Sequence, residues 1–399
     1  MDREKAAEQL TAALGTFHGR FKIMYGQACV RADKAAYLST GGNKILADIA
    51  EDSYELCDIN AGELGEIFRS RPDINAIVFG CSADTVRASE ESDSISVALE
   101  DLARLTGSEL RVIPDTSAAS ILEGVKDASV CLIKGVGAIA VGSNCRKAAV
   151  GVQIVEKACE AENHGKLIGG TVPIDRDLAE RYRKDFISDY TKRNEEPYVN
   201  YVNYDEEEFA LRSSLIDYGR ELVERDLSYG SWGNLSVRLN EHEMLITPSS
   251  MDYYDIKIED IVKVDISTLE YGNQRIPSTE VMMHAKAYRE LPGCNAIVQT
   301  RSNAMSVFAA CRAGFVLGTG DLRDLIGDVR VTEYAEPGTE ELAEAVVSTL
   351  RITHACIIPH HGAVFYGPSL DVLLAIAEAV EMKARNILMF DSGIPEEKE

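Results

Sequence analysis

The chain is short of basic residues, carries a single tryptophan, and has neither a paired-cysteine motif nor a long apolar run. Lysine and arginine number 41 against 65 aspartates and glutamates, a formal charge of -24. The acidic excess is spread along the chain, so nucleic acid and anionic membrane, which both need a basic footprint, are not expected partners. A small anionic metabolite needs only a local cluster of donors and stays in play. No stretch approaches the roughly 18 apolar residues of a membrane-spanning helix. The first ten residues are charged and helix-like, without the apolar core of a secretory signal. The nine cysteines are scattered, none at Cys-x-x-Cys spacing. An odd number of such residues is simplest to read as reduced, buried thiols in a cytoplasmic protein. No Gly-x-Gly-x-x-Gly or Walker loop follows a strand, which leaves nucleotide binding without support.

What the chain does have is an internal repeat. Asn75-Ala76-Ile77-Val78 recurs as Asn295-Ala296-Ile297-Val298, 220 residues on. The run from Cys131 to Ala138 aligns with that from Cys356 to Ala363, at a spacing of 225. Each is a buried-strand pattern, a turn, a second short strand and a long amphipathic helix, and the helices share Val155-Glu156 and Val380-Glu381. Gly26 to Arg31 matches Gly233 to Arg238 at a spacing of 207. Three blocks in one order imply a duplication, and the drifting spacing places small insertions in loops. The chain divides into a first domain at 1–170, a connector at 171–205 and a second domain at 206–399. The connector is dense in charge and carries Tyr182, Tyr190, Tyr198, Tyr201 and Tyr204. It should begin with a helix from Asp175 to Tyr190, its tyrosines packing on a domain face rather than hanging free.

Periodicity in the second half predicts a helix over 207–225, strands at 235–239, 243–247 and 261–265, and a helix over 280–289 capped by Ser278 or Thr279. A strand at 296–300, helices over 303–312 and 338–350, strands at 355–358 and 363–366 and a closing helix over 371–390 follow. Several neighbouring strands are joined by hairpin-length turns. The fold class is therefore α/β, with a mixed, mainly antiparallel sheet flanked by helices in each domain rather than a doubly wound parallel sheet.

The second half resembles the class II aldolase/adducin family. The resemblance is carried by Gly233-Asn234-Leu235-Ser236-Val237-Arg238, Leu245-Ile246-Thr247-Pro248-Ser249-Ser250 and Ser278-Thr279-Glu280 with His284 one helical turn on. Asn295-Ala296-Ile297-Val298, Gly338-Thr339-Glu340-Glu341-Leu342 and His360-His361-Gly362 complete it. The first half shares it through the repeat. The resemblance implies two tandem class II aldolase-like α/β/α domains, related to fuculose-phosphate aldolase, a ribulose-phosphate epimerase and the adducin head. It also implies a zinc-type cation held by a His-x-His pair and the histidine of a His-Gly turn, a proton-moving glutamate, and a phosphate pocket. Here Asn234, Ser249, Ser250, Ser278 and Thr279 match the phosphate side, Glu280 the acid/base position and His361 the turn histidine. Ser250 stands where the family has glycine.

The departure lies at the pair, which reads Gln299-Thr300-Arg301. Glutamine is a weak neutral ligand and arginine none at all, so zinc or another divalent metal is not the expected cofactor. In the first half Phe79-Gly80-Cys81 stands at the pair, Val136 at the turn and Asn60 at the glutamate. Two sets of functions remain open. In one, Glu280, Arg301 and His361 form a metal-independent binding or catalytic site, a lyase or epimerase, for a sugar phosphate or similar anion. Arg301 would supply the fixed positive charge. In the other, the chain is a non-catalytic scaffold of the adducin-head kind. An aldehyde-lyase with unrecognised metal ligands is a further alternative. The bland readings are that Arg301 merely neutralises Glu280, that His361 is satisfied by its turn, that His360 is structural, and that the serines and Asn234 are turn and cap formers. Cys131 and Cys356 should pack in buried strands, and Cys81 gives little ground for a reactive role. Because the family's enzymes are cyclic tetramers, the resemblance also implies a homo-oligomer, a dimer of two-domain chains completing a pseudo-tetramer.

Overall fold

In the computed structural model, residues 2–18, 23–50, 53–194, 196, 203–272 and 275–390 are described; Tyr198 and Tyr201 lie outside them. The chain divides into two compact units. One comprises Met1–Asn163 with Pro173–Asp185, the other His164–Val172 with Phe186–Glu399. The 171–205 stretch is thus shared between them rather than standing apart.

Unit 1 runs through α1 (Arg3–Leu14), β1 (Tyr25–Arg31), β2 (Ala36–Ser39), β3 (Lys44–Ile45), β4 (Glu55–Asp58), α2 (Gly62–Ser70), β5 (Ala76–Cys81), α3 (Ala83–Glu91) and β6 (Ser94–Ser96). It continues through α4 (Glu100–Thr106), β7 (Glu109–Ile113), α5 (Ala118–Gly124), β8 (Val130–Ile133), β9 (Gly137–Gly142), α6 (Cys145–Gly165) and α7 (Arg176–Ser188), the last two residues of α6 and the last three of α7 belonging to unit 2. Unit 2 is α8 (Glu206–Glu224), β10 (Asn234–Arg238), β11 (Glu243–Ile246), β12 (Val262–Asp265), α9 (Val281–Glu290), β13 (Ala296–Thr300), α10 (Asn303–Ala310) and α11 (Asp321–Ile326). It ends with β14 (Arg330–Val331), α12 (Glu340–Leu350), β15 (Ala355–Ile358), β16 (Gly362–Gly367) and α13 (Leu370–Phe390). Among the described residues no helix is long and apolar enough to cross a membrane.

The two sheets share one plan. Unit 1 orders its strands β4-β2-β1-β5-β9-β8-β7-β6, and unit 2 β12-β11-β10-β13-β16-β15-β14. In each, a single parallel pairing (β7 with β8, β14 with β15) interrupts antiparallel ladders. Registers coincide too: Gln27 faces Phe79 as Asn234 faces Gln299. Arg31 reaches the carbonyls of Phe68 and Ile74 and lies over the Phe68 ring at 5.0 Å; Arg238 reaches those of Tyr288 and Cys294 and lies over Tyr288 at 4.9 Å. Such repetition of a side-chain clamp, on top of strand order, establishes the duplication.

Period-two burial decides which residues face which layer. In unit 2, Ile297, Val364, Tyr366 and Cys356 pack with Met283 and Tyr288 of α9 and Val346 and Leu350 of α12. α8, α10 and α13 cover the other side. In unit 1, Ile77, Cys131 and Ile139 pack with Phe68 of α2 and Ile121 of α5. All nine cysteines are free thiols. Burial pushes Cys131 up to about 12 and Cys356 still higher, so both are inert packing groups.

Two turns show why particular residues are needed. Gly137 and Gly362 sit at φ 139° and 146°, and a Cβ there would meet the carbonyl oxygen of Gly80 or Thr300 at 2.5 or 2.2 Å. Before each comes a left-handed residue, Gly135 in unit 1 and His360 in unit 2. Helix ends differ more. Thr339 caps α12, accepting from the Leu342 N–H. α9 instead takes Glu280 as its N-cap, because residues 278–280 form a preceding turn in which the Ser278 hydroxyl accepts from the Glu280 N–H at 3.3 Å. The first turn of α10 is capped from a distance by the Glu381 carboxylate of α13, which accepts from Ala304 and Met305 at 2.9 and 3.0 Å. Its counterpart Glu156 accepts from the Ser82 hydroxyl at the start of α3.

Candidate functional site

Strand alternation puts Gln299 with Ile297 on the α9 side of the unit 2 sheet, and Arg301 follows one residue past the end of β13. The start of α9 brings in Glu280, and the turn between β15 and β16 brings in His361. Arg301 is 4% exposed; its Nη1 donates to the His361 carbonyl and its Nη2 to His361 Nε2 at 2.7 Å. The guanidinium also lies 6.0 Å from the centroid of the Trp232 ring. Trp232 is in turn stacked against Phe186 and Tyr190 at 6.2 and 6.1 Å.

An arginine nitrogen can only donate, so His361 Nε2 accepts and the ring is neutral. The 3.8 Å approach of that nitrogen to Glu280 Oε1 is therefore proximity rather than an ion pair. Glu280 is buried, and its Oε1 accepts from the Thr279 hydroxyl at 3.5 Å. Glu280, Arg301 and His361 are thus brought together, with Arg301 engaging the histidine. His360 points elsewhere: it accepts from Arg312 at 2.8 Å and packs edge-on against Tyr334.

The expected anion-binding residues occupy three adjoining segments. Thr247 fixes the first by accepting from the Leu235 N–H, and the chain beyond it reaches Ser250, which is in the left-handed region at φ 63°. A serine thus adopts the conformation a glycine would supply, and the backbone turn survives the replacement. The Ser249 hydroxyl is buried without a hydrogen-bond partner among the described residues. Ser278 lies alongside, its N–H donating to the Thr247 carbonyl at 3.1 Å.

Several contributors carried no sequence signal. Asn194, itself at φ 58°, donates to the carbonyls of Ser249 and Ile276 and accepts from the Ile276 N–H, acting as a piece of backbone behind the serine loop. Trp232 was equally silent, although a lone tryptophan next to a Gly-Asn pair is a usable hint. The largest omission is a buried polar chain. Tyr288 OH lies 2.7 Å from Ser236 Oγ, Ser236 Oγ 2.6 Å from His284 Nδ1, and His284 Nε2 2.6 Å from Asn234 Oδ1. Asn234 Nδ2 then donates to Gln299 Oε1. Burial holds the His284 imidazole down to about 3, so it is neutral.

These side chains do not fit a divalent cation. The Gln299 oxygen already accepts from Asn234, the His361 lone pair is taken by Arg301, and Arg301 itself is a permanent cation that cannot ligate. Among the described residues no three His, Cys, Asp or Glu side chains converge as a ligand group.

Sheet order, the Ser-Thr-Glu helix start and the His-Gly turn together define a duplicated aldolase-type α/β chain. It belongs to the class II aldolase and adducin N-terminal domain family, whose model matches residues 65–162 and 213–388. A 5-methylthioribulose-1-phosphate/5-deoxyribulose-1-phosphate aldolase of Rhodospirillum rubrum is 34% identical over 174 residues, 43% of this chain and 77% of the relative. An L-fuculose phosphate aldolase of Haemophilus influenzae is 30% identical over 182 residues, 44% of this chain and 80% of the relative. Among solved structures, an L-fuculose 1-phosphate aldolase is 33% identical, covering 47% of this chain and 92% of its own at a TM-score of 0.43.

Proposed function

We propose that unit 2 binds a small phosphorylated, sugar-like compound and promotes enolate-forming chemistry on it, with Arg301 in place of a divalent cation. The observation that carries this reading is the buried Arg301 guanidinium, anchored on His361 and set beside Glu280. A fixed cation shielded from water meets developing negative charge with little reorganisation. In a retro-aldol cleavage Glu280 would take the proton of the substrate hydroxyl. The electron pair of the breaking carbon–carbon bond would move into the neighbouring carbonyl. Arg301 would face the enolate oxygen, and the proton would then return to carbon. The Ser249–Ser250 and Ser278–Thr279 segments would hold the phosphate. Sugar-phosphate aldolases among the relatives support the substrate class. In unit 1, Cys81, Val136 and Asn60 occupy the equivalent positions and supply neither cation nor base, so that copy serves as a structural partner.

The test uses the full chain in chelator with dihydroxyacetone phosphate, the smallest phosphorylated hydroxyketone. Thermal stabilisation by the ligand should survive chelation and vanish in Arg301→Met. Exchange of the ligand's carbon-bound hydrogens into deuterated water, followed by NMR, should disappear in Glu280→Gln, which still binds. Stoichiometric metal in the purified protein, with binding lost on chelation, would overturn the reading in favour of ligands elsewhere. Absence of any stabilisation at millimolar ligand would favour the scaffold alternative.

A further inference from the structure

The polar chain that ends at Gln299 has only one consistent direction. Ser236 is the one partner of the Tyr288 hydroxyl among the described residues, so the phenol donates and Ser236 accepts. Ser236 must then pass its own hydrogen to His284 Nδ1, which leaves the single proton of the neutral imidazole on Nε2. That proton goes to Asn234 Oδ1, and the Asn234 amide donates to Gln299 Oε1. Reversing the chain would strand the Tyr288 hydrogen in an apolar core. Every group along it is satisfied until Gln299 Nε2, which is buried, fixed in orientation and without a hydrogen-bond partner among the described residues. Gln299 near the end of β13 and Arg301 one residue past it are two residues apart, so this amide donor and the guanidinium stand at the same end of the strand.

Unit 1 shows that the fold does not need the chain. Its equivalents of Tyr288, Ser236, His284 and Gln299 are Phe68, Cys29, Leu64 and Phe79, on the same helix and strands with the same arginine clamp. Only Gln27, opposite Phe79, stays polar, and it turns to Ser39. Four polar residues replaced together in the copy that lacks Glu280 and Arg301 belong to the site, not to the packing.

We propose that Gln299 is a direct ligand-binding residue, its amide donating to an anionic oxygen on a planar carbon, a carboxylate or an enediolate, held jointly with Arg301. Tyr288, Ser236, His284 and Asn234 are positioning residues that keep the donor end of the amide outward. This assignment rests on the reading of unit 2 as a phosphate-binding site and names the second group its ligand carries. It selects phosphorylated compounds bearing such an oxygen over phosphorylated alcohols.

Calorimetric titration of the full chain in chelator with 2-phosphoglycolate and with sn-glycerol 3-phosphate tests it, since the two share the phosphate and differ in the planar anionic group. The wild type should bind phosphoglycolate at least about tenfold more tightly, the size of one charge-assisted contact. Gln299→Met should lower the preference several-fold, to what Arg301 alone supports, and leave glycerol 3-phosphate affinity in place. His284→Leu, which installs the residue unit 1 already carries, should do the same in a folded protein, whereas a purely structural histidine would shift both affinities together. Equal binding of the two ligands by the wild type, or a preference that both substitutions leave undiminished, overturns the proposal while the phosphate-site reading stands. Binding of neither ligand brings down both.

Discussion

Replacing Gln299 and Arg301 together by histidine should turn this site into a metal site. The two positions lie two residues apart at the end of β13, roughly 7 Å along an extended chain, a distance two imidazoles can bridge toward a shared ion. Removing the guanidinium frees His361 Nε2, now engaged at 2.7 Å, and empties the space a zinc ion needs at about 2.0–2.1 Å from each nitrogen. At free zinc a hundredfold above the dissociation constant, binding should add about 2.7 kcal/mol. For a unit of this size that is a rise of about 5–11 °C in melting temperature. Differential scanning calorimetry across a buffered zinc series, with elemental analysis of the dialysed protein, reads both quantities. Gln299→His alone should show no shift, because the Arg301 charge remains. A double variant that folds, yet neither retains zinc nor melts later with it, would refute the idea that Gln299 and Arg301 occupy the positions of the family's ligand pair.

Three further outcomes follow from the geometry. With His284 held down to about 3 against an ordinary 6.5, the unfolded chain binds a proton that the folded one refuses, so stability falls as pH drops through that window. The slope reaches at most about 1.4 kcal/mol per pH unit from this residue. Urea unfolding of His284→Leu between about pH 7.5 and about pH 4.5 should be shallower in pH than wild type, and parallel slopes would count against it. Gly362→Ala should cost on the order of 2–4 kcal/mol, because the new Cβ lands 2.2 Å from the Thr300 carbonyl; Gly137→Ala should do likewise in unit 1. A thermal melt of either that matches wild type would show that the turn relaxes. Asn194→Gly keeps the left-handed backbone but deletes three side-chain hydrogen bonds, each worth about 0.5–1.5 kcal/mol. Glycerol 3-phosphate affinity should drop several-fold in titration, and an unchanged affinity would remove Asn194 from the loop's support.

Much of the fold could be read from pattern alone because its strands are short, alternate cleanly and recur. The strand at 296–300 and that at 355–358 fall where the apolar runs place them, and the repeat blocks land on matching strands of the two sheets. The edge strand β14 and the short α11 escaped notice, since a two-residue strand and a six-residue helix leave no periodic signature. At the site, it was the family resemblance, carried by motifs in one order, that pointed to Glu280, Arg301 and His361 together. Arg301's choice of His361 was not legible, because a guanidinium's partner depends on three-dimensional reach. The Tyr288–Gln299 chain was hidden for a different reason: its members are spread over β10, α9 and β13, and Asn234 and Gln299 were assigned to the phosphate side and the ligand pair rather than to each other. Comparing the two halves position by position, rather than block by block, would have exposed it.

The arginine clamp under α9 has a mechanical consequence. Arg238 grips the carbonyl of Tyr288 near the last turn, whereas Glu280 stands at the opposite end of a ten-residue helix, about 12 Å away along its axis. The helix thus behaves as a rod clamped at its base with a carboxylate at its tip, and loosening the base swings the tip. Substitutions at Arg238 should therefore disturb the proton transfer proposed for Glu280 without touching a ligand, while the same change at Arg31 loosens α2, which begins just past Asn60.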